Sequence, residues 1–367
     1  MKRDKGIYVV WLLGVCFALM SCARQNYYID TRMQRSAEGN YVIQWQVNPG
    51  MDGHVAIYAS QNADKYPDQP QAIEQIAKQV YHYNTTPSST PSSTPPSTPM
   101  QHTYFLLVFN SNEMRVVSNR TIPTVGILNF RDIGGYMTDN NEQVRWGMLY
   151  RSGDLWRSFE QDIPTIGSLG IRTQYIMSPS RISEIPPQLG MSAIEQIYVG
   201  PEREIDFQHL IDNIYAGNRS RKEIKSMHKE LLQNIAFDNP NQLRIILNEL
   251  TEPGNYPVLL SDDLGKDRVA FVVFLVHHIL GVSHSDAIND YVLSNENLPV
   301  SRLEPKGFTE PTEVQEALTE YFRCEPNHLN DLISEIQHRF GSISGYLEEF
   351  LHFDSKSQQK LRNILLY

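Results

Sequence analysis

The sequence predicts two domains, a small all-β sandwich followed by an α/β domain whose helices gather toward the C-terminus. Three observations predict it. Short alternating apolar runs separated by turn residues fill the stretch 22–121. Strand and helix patterns then alternate through residues 122–367. Within that second part, a short apolar strand at 258–260 passes through a glycine-bearing loop into a helix, 269–280, that is apolar nearly all round.

Residues 1–21 read as a processing segment. Lys2, Arg3 and Lys5 give a basic start, and the apolar run 7–20 is shorter than the roughly 20 residues a bilayer span needs. It ends in Leu19-Met20-Ser21-Cys22, which resembles a bacterial lipobox. The resemblance implies a signal peptide removed before Cys22, acylation of Cys22, and a cell-envelope protein whose membrane partner is reached through that lipid. Ala23, rather than Asp, implies by the same resemblance the outer membrane of a Gram-negative bacterium. A plain signal anchor is the other reading. Cys16 would leave with the signal and Cys22 would carry lipid. Cys324 would then be the one free thiol, which excludes an intramolecular disulfide in the mature chain.

In the first domain, residues 41–47 alternate as a half-buried strand does, and 54–60, 104–110 and 114–117 read as further strands. Residues 74–83 fit either a strand or a short helix. The pattern resembles immunoglobulin-like or fibronectin-like modules. Residues 85–99 (TTPSSTPSSTPPSTP) interrupt it with a composition that cannot bury a core, so they read as a solvated loop.

In the second domain, Gly281 is placed to stop the buried helix. Residues 285–293, 329–340 and 356–366 show helical periodicity, with Gly341 stopping the second and Ser355 placed to cap the third. Hydrophobic content of 41% and charged content of 20% suit an ordinary core. A net charge of -10 argues against nucleic-acid partners, because phosphate backbones are repelled.

The chemistry concentrates in Ser261-Asp262-Asp263-Leu264-Gly265-Lys266-Asp267-Arg268, where strand becomes helix. Backbone N–H groups of such a loop converge, the helix dipole favours negative charge, and Lys266 and Arg268 add to it. From spacing alone a surface loop with a Lys-Asp-Arg cluster fits equally.

The flanking segments decide between them. Asn129-Phe130-Arg131-Asp132-Ile133-Gly134-Gly135-Tyr136 resembles the NFRDLGGY opening of the tyrosine/serine phosphatase family, a group of cysteine-dependent phosphatases. Trp146-Gly147-Met148-Leu149-Tyr150-Arg151-Ser152 resembles its WGxLYRS segment, and Asp290-Tyr291-Val292-Leu293-Ser294-Asn295 its DYLLSN segment. Phe340-Gly341-Ser342, with Tyr346-Leu347, resembles its YGSxxxYL segment. The resemblance implies an α/β phosphatase fold over 122–367. In the family the loop reads HCxAGKDRTG, and this implies phosphate-binding roles for Gly265, Lys266 and Arg268 and the general-acid position for Asp267. The nucleophilic cysteine falls on Asp262 and the histidine before it on Ser261. Upstream, where relatives carry Asp-Leu-Arg, this chain has Ile176-Met177-Ser178.

Asp262 at the floor of an anion cradle would accept the N–H groups meant for phosphate, pair with Arg268, and repel a dianionic substrate. The reading that follows is a pseudophosphatase that binds a protein partner or a phosphorylated ligand, with no cofactor and no metal. Two alternatives stay open. One is an active phosphomonoesterase acting on phosphotyrosine, phosphoserine or phospholipid, with Asp262 as nucleophile or Asp262 and Asp263 holding a cation. The other is a purely structural cell-envelope lipoprotein. Cys324, in Arg323-Cys324-Glu325-Pro326, reads as a structural thiol, because no glycine loop is aimed at it.

Overall fold

The computed structural model describes residues 27–36, 39–84, 102–178, 194–200, 207–298 and 300–367. The processing segment with Cys16 and Cys22, and the stretch 85–99, lie outside the described residues. Among the described residues no helix is long and apolar enough to cross a membrane.

The N-terminal strands are β1 (Tyr28–Arg35), β2 (Tyr41–Asn48), β3 (His54–Ser60), β4 (Ala72–Gln75), β5 (Val80–Tyr83), β6 (Tyr104–Phe109) and β7 (Glu113–Ser118). They form two antiparallel sheets, ordered β1-β2-β5 and β4-β3-β6-β7. Alternation places Tyr41, Ile43 and Trp45 on one face of β2, where they meet Val55, Ile57, Phe105, Leu107 and Phe109 of the other sheet in one core. The ambiguous stretch 74–83 is neither one strand nor one helix. A single 3₁₀ turn, Ile76–Lys78, followed by left-handed Gln79, carries the chain from β4 in one sheet to β5 in the other. Trp45 Nε1 donates to the Ile76 carbonyl at 2.8 Å and holds that crossing in place.

The second sheet system is built from β8 (Arg131–Asp132), β9 (Leu149–Ser152), β10 (Thr173–Ile176), β11 (Glu195–Tyr198) and β12 (Val258–Ser261), in the order β11-β10-β12-β9-β8. Pairing is parallel from β11 through β9 and antiparallel between β9 and β8. The helices used below are α1 (Ile163–Ser168), α2 (Phe207–Tyr215), α3 (Arg221–Gln233), α4 (Pro240–Glu249), α5 (Arg268–Leu280), α6 (His284–Val292), α7 (Thr312–Phe322), α8 (Pro326–Phe340) and α9 (Ser355–Leu365).

α5 is the hub of the main core. Its Val272, Leu275 and Ile279 share one cluster with Leu243 and Leu247 of α4, Leu329 and Ile336 of α8, and Leu361 of α9. A helix enclosed on every side has no polar face to show, which is why its sequence is apolar all round. Gly281 ends it at φ 82°, and Gly341 ends α8 at φ 74°. The cap of the last helix differs from expectation. Asp354, not Ser355, is the N-cap, and its carboxylate accepts from the Ser357 N–H at 2.8 Å. The aspartate stands three residues before that orphan amide, where a capping side chain reaches. α8 starts at Pro326 because proline is tolerated in the first turn.

The two parts touch directly. The Gln143 side chain donates to the Val116 carbonyl at 2.8 Å and accepts from the Val116 N–H at 2.9 Å, in the manner of a strand neighbour. Trp146 Nε1 also donates to the Val116 carbonyl, at 2.8 Å, and its ring is buried with Ala63 and Tyr104.

Candidate functional site

β12 is a central strand, and its C-terminal end delivers the loop that opens α5, the place where open parallel sheets hold ligands. Gly265 turns the loop at φ 67°. A Cβ there would come within 2.5 Å of the Ser152 carbonyl carbon and 2.7 Å of the Gly153 nitrogen, so only glycine fits. The converging amides face an occupant supplied by the chain itself. Asp262 Oδ1 accepts from the N–H groups of Leu264 (3.1 Å), Gly265 (2.5 Å) and Lys266 (3.3 Å), and Oδ2 accepts from Val269 N–H at 3.1 Å. Asp262 is 3% exposed.

The two loop cations are placed differently from expectation. No ion pair joins Arg268 to Asp262, because the carboxylate is already ringed by backbone donors; the charge of Arg268 acts on Asp263 instead. Lys266 is buried and directs its ammonium to Asp267 Oδ1, at 2.9 Å, rather than into the cradle. His228 of α3 donates from Nε2 to the same oxygen at 2.7 Å. Burial alone would raise the Asp267 pKa, but Lys266 and His228 outweigh it and hold the carboxyl far below the usual range. Asp267 therefore stands ionised at neutral pH, with its proton-accepting oxygen engaged twice.

Behind the loop, the segments that resemble the family motifs converge on its carbonyls. Asn129 Nδ2 donates to the carbonyls of Leu264 (3.1 Å) and Gly265 (2.7 Å). Arg151 donates to the Gly265 carbonyl at 2.7 Å and to Asp290 Oδ2 at 2.5 Å. Arg131 reaches Asn129 Oδ1, the Asp290 backbone carbonyl at 2.7 Å and Asp290 Oδ1 at 3.5 Å. Ser294 Oγ accepts from both Asn129 and Arg131 at 3.2 Å. Asp132 ties the neighbouring turn by accepting from Gly134 N–H at 2.8 Å and Gly147 N–H at 2.7 Å. The opening, middle and post-helix motifs are thus one scaffold that aims the loop's N–H groups forward by fixing its C=O groups backward.

In front of the loop the surroundings are acidic. Asp154 is buried, and its Oδ1 accepts from Ser178 Oγ at 2.8 Å. Burial, with the Asp262 charge nearby, pushes Asp154 up to about 6. Burial, with Asp154 and Asp262, pushes Asp263 up to about 8. Ser261 Oγ accepts from Gln174 Nε2 at 2.9 Å, and Ile176 pairs in register with Ser261. Ser178 is thus engaged by Asp154 and Ser261 by Gln174, and neither they nor Ile176 present a cation to the loop mouth.

Cys324 is 1% exposed, with its thiol pKa raised by burial, which keeps it a protonated core group. Asp154 and His228 were not singled out from the sequence. Asp154 sits two residues past the Arg151-Ser152 segment, so the motif pointed near it. His228 lies 39 residues from Asp267 on an amphipathic helix, and no local signal marks it.

The model of the tyrosine phosphatase family matches residues 122–367, and the chain belongs to that family. The triple specificity protein phosphatase PtpB of Mycobacterium tuberculosis is 22% identical over 273 residues, spanning 66% of this chain and 97% of that protein. A protein of Cupriavidus necator named, by inference, a tyrosine-protein phosphatase is 23% identical over 237 residues, spanning 62% and 83%. Among solved structures, the Siw14 catalytic core matches 51% of this chain and 86% of its own, at 11% identity and a TM-score of 0.27.

Proposed function

We propose that this tyrosine phosphatase family member is a pseudophosphatase, a lipid-anchored cell-envelope protein that keeps the family scaffold to bind a partner rather than to hydrolyse phosphate. One observation carries the reading. The carboxylate of Asp262 stands at the nucleophile position and accepts from three backbone N–H groups of the loop and one of the first turn of α5. An anion built into the cradle competes with phosphate for the same donors, and its charge repels a dianion in a poorly screened pocket. Asp262 acting as nucleophile would have to leave those donors first, so the same contacts weigh against the active alternative.

The loop cations support the reading. Lys266 is engaged by Asp267 and Arg268 makes no bond to the cradle's occupant, while Ser178 and Ile176 stand where relatives carry charged groups. The intact rear scaffold of Asn129, Arg131, Arg151 and Asp290 favours retained shape over decay. For anchorage the support is the lipobox-like Leu19-Met20-Ser21-Cys22. Replacing Cys22 by Ser is expected to release the protein from membranes or block its maturation, and an unchanged acylated membrane product would refute the anchor. For the N-terminal part we propose a fibronectin-like sandwich, supported by the sheet orders β1-β2-β5 and β4-β3-β6-β7.

The central test is turnover of aryl phosphates by purified wild type, with and without divalent ions, beside phosphate titration by calorimetry. We expect no turnover above a boiled control and no saturable phosphate binding. Robust turnover abolished by Asp262→Asn would overturn the reading.

A further inference from the structure

We propose that Glu320, Glu325 and His328 form a binding site for one divalent transition-metal ion, Zn²⁺ foremost, between α7 and α8. Their ligand atoms lie within 4.8 Å of one another, a convergence found for this group among the described residues. His328 Nε2 is 3.9 Å from Glu320 Oε1 and 4.0 Å from Glu325 Oε2. These spans are too long for hydrogen bonds, yet close to the separation of two ligands on a common ion. The sequence carried no expectation of a metal at these three residues, because Glu-x₄-Glu-x₂-His has no recognised ligand spacing.

Two orphaned atoms point at the same spot. Glu320 is 1% exposed, and its Oε1 has no hydrogen-bond partner; His328 Nε2 is also buried without one. An unpaired carboxylate oxygen and an unpaired imidazole nitrogen, both removed from water and facing each other, each lose a hydration shell with nothing in return. A cation between them satisfies both. The other oxygen of Glu320 is held by Arg221 at 2.9 Å, which fixes the carboxylate and leaves Oε1 free to coordinate.

His328 has the preparation that metal-bound histidines show. Its Nδ1 lies 3.2 Å from the Tyr291 hydroxyl, a partner that can accept the ring's other proton and so leave the Nε2 lone pair open. The contact of Nδ1 with the Glu325 N–H, at 3.4 Å, is the weaker of the two and is given up in that tautomer. One imidazole nitrogen and two carboxylate oxygens make a borderline donor set that suits Zn²⁺ better than Mg²⁺ or Ca²⁺, and it leaves a position for water. Lys225 and Arg323 stand 3.9 Å and 3.5 Å from Glu325 on exposed stems, and they can swing away as the ion enters. A cavity of about 260 Å³ lined by Lys222, Lys225, Lys229 and Gln233 reaches His328.

The site touches the phosphate loop through one ring. His328 packs edge-on against His228 with centroids 4.2 Å apart, and His228 holds Asp267. Metal binding should therefore brace α7 and α8 against the loop.

The experiment is calorimetric titration of the metal-stripped full-length chain, in detergent, with Zn²⁺, Mn²⁺ and Mg²⁺. Visible absorption of a Co²⁺-loaded sample reports the geometry. We expect one equivalent of Zn²⁺, much weaker Mg²⁺, and a rise in the thermal midpoint on loading. Glu325→Gln, at a partly exposed position where the amide oxygen can still cap α8, should weaken Zn²⁺ by about tenfold or more. His328→Gln should do the same, and His338→Ala, an exposed histidine of α8, should change nothing. Absence of saturable Zn²⁺ binding, or binding indifferent to Glu325→Gln, overturns the site.

Discussion

Arg151 meets Asp290 at 2.5 Å, both wholly buried, and the arginine's other terminal nitrogen holds the Gly265 carbonyl at 2.7 Å. The carboxylate thus serves two guanidiniums, since Arg131 lies 3.5 Å from its second oxygen. Burial pushes the Asp290 pKa up, but Arg131 and Arg151 outweigh it and hold the group well below the usual carboxylate range. Asp290→Asn would leave two buried cations short of a counter-charge. The expected loss is about 3–5 kcal/mol, or roughly 10 °C in the thermal midpoint. Scanning calorimetry checks it, and a midpoint matching wild type would show that the ion network is not what holds the loop.

Asp262→Asn removes the charge that fills the cradle while keeping nearly the same shape. One of its two termini becomes a donor facing donors, so we expect roughly 1–2 kcal/mol of lost stability. Phosphate, which wild type is expected not to bind saturably, should gain at least about tenfold in affinity, about 1.4 kcal/mol, and titrate measurably, because the competing anion is gone. Asp262→Cys should give at most a trace of aryl phosphate hydrolysis. The nucleophile would return, but Asp267 would remain ionised between Lys266 and His228, and Ser178 and Ile176 would still offer no charge. Hydrolysis by Asp262→Cys at the level of an active relative would mean that the missing groups are dispensable.

The raised carboxyls make a pH prediction of definite sign. In the unfolded chain Asp154 and Asp263 titrate near 4, whereas in the fold burial and the neighbouring charge of Asp262, with that of Asp154 acting on Asp263 as well, move them to about 6 and about 8. The folded form binds their protons more tightly. Their contribution is therefore fully present below about pH 4 and is lost as pH rises toward 8. Asp263→Asn should flatten the fall in thermal midpoint between pH 5 and 9 and raise the midpoint at pH 9 by roughly 2–4 °C, about 1 kcal/mol for a partly exposed group. Parallel curves for variant and wild type would remove Asp263 from the account.

Much of this site was legible because the motifs carry mechanical duties at short range. Gly265 must be glycine for its left-handed turn, and Asn129, Arg131, Arg151 and Asp290 must keep their identities to grip the loop's carbonyls. Where a lysine points is not written in its neighbours. Lys266 turns to Asp267 because His228, from a distant helix, helps to fix that carboxylate. Arg268 fails to pair with Asp262 because four amides reach the aspartate first, a competition visible only once the loop is closed. The strand-or-helix stretch 74–83 was undecidable locally, since its turn exists to change sheets. The one-residue error at Ser355 reflects two adjacent capping residue types, Asp354 and Ser355, separated only by reach.

The junction between the two parts yields the last prediction. The family match begins at residue 122, and the second part has its own extensive core around α5. Yet Trp146 is buried against Ala63, Tyr104 and Val116, and the Tyr150 hydroxyl lies 3.2 Å from that of Tyr104. We propose that a fragment of residues 122–367 folds alone, because the surface it would expose is small beside the core it keeps. Uncovering one indole and breaking the Gln143 and Trp146 bonds to Val116 should lower its stability by roughly 2 kcal/mol. For a domain of this size that is a fall of several degrees. Trp146 should also become accessible to quencher, whereas in the full chain it is shielded. A soluble, protease-resistant fragment with a quenchable indole and a slightly lower midpoint is the expected outcome. A fragment that is insoluble or rapidly digested would mean that β6 and β7 belong to its folding unit, and the boundary at 122 would have to be abandoned.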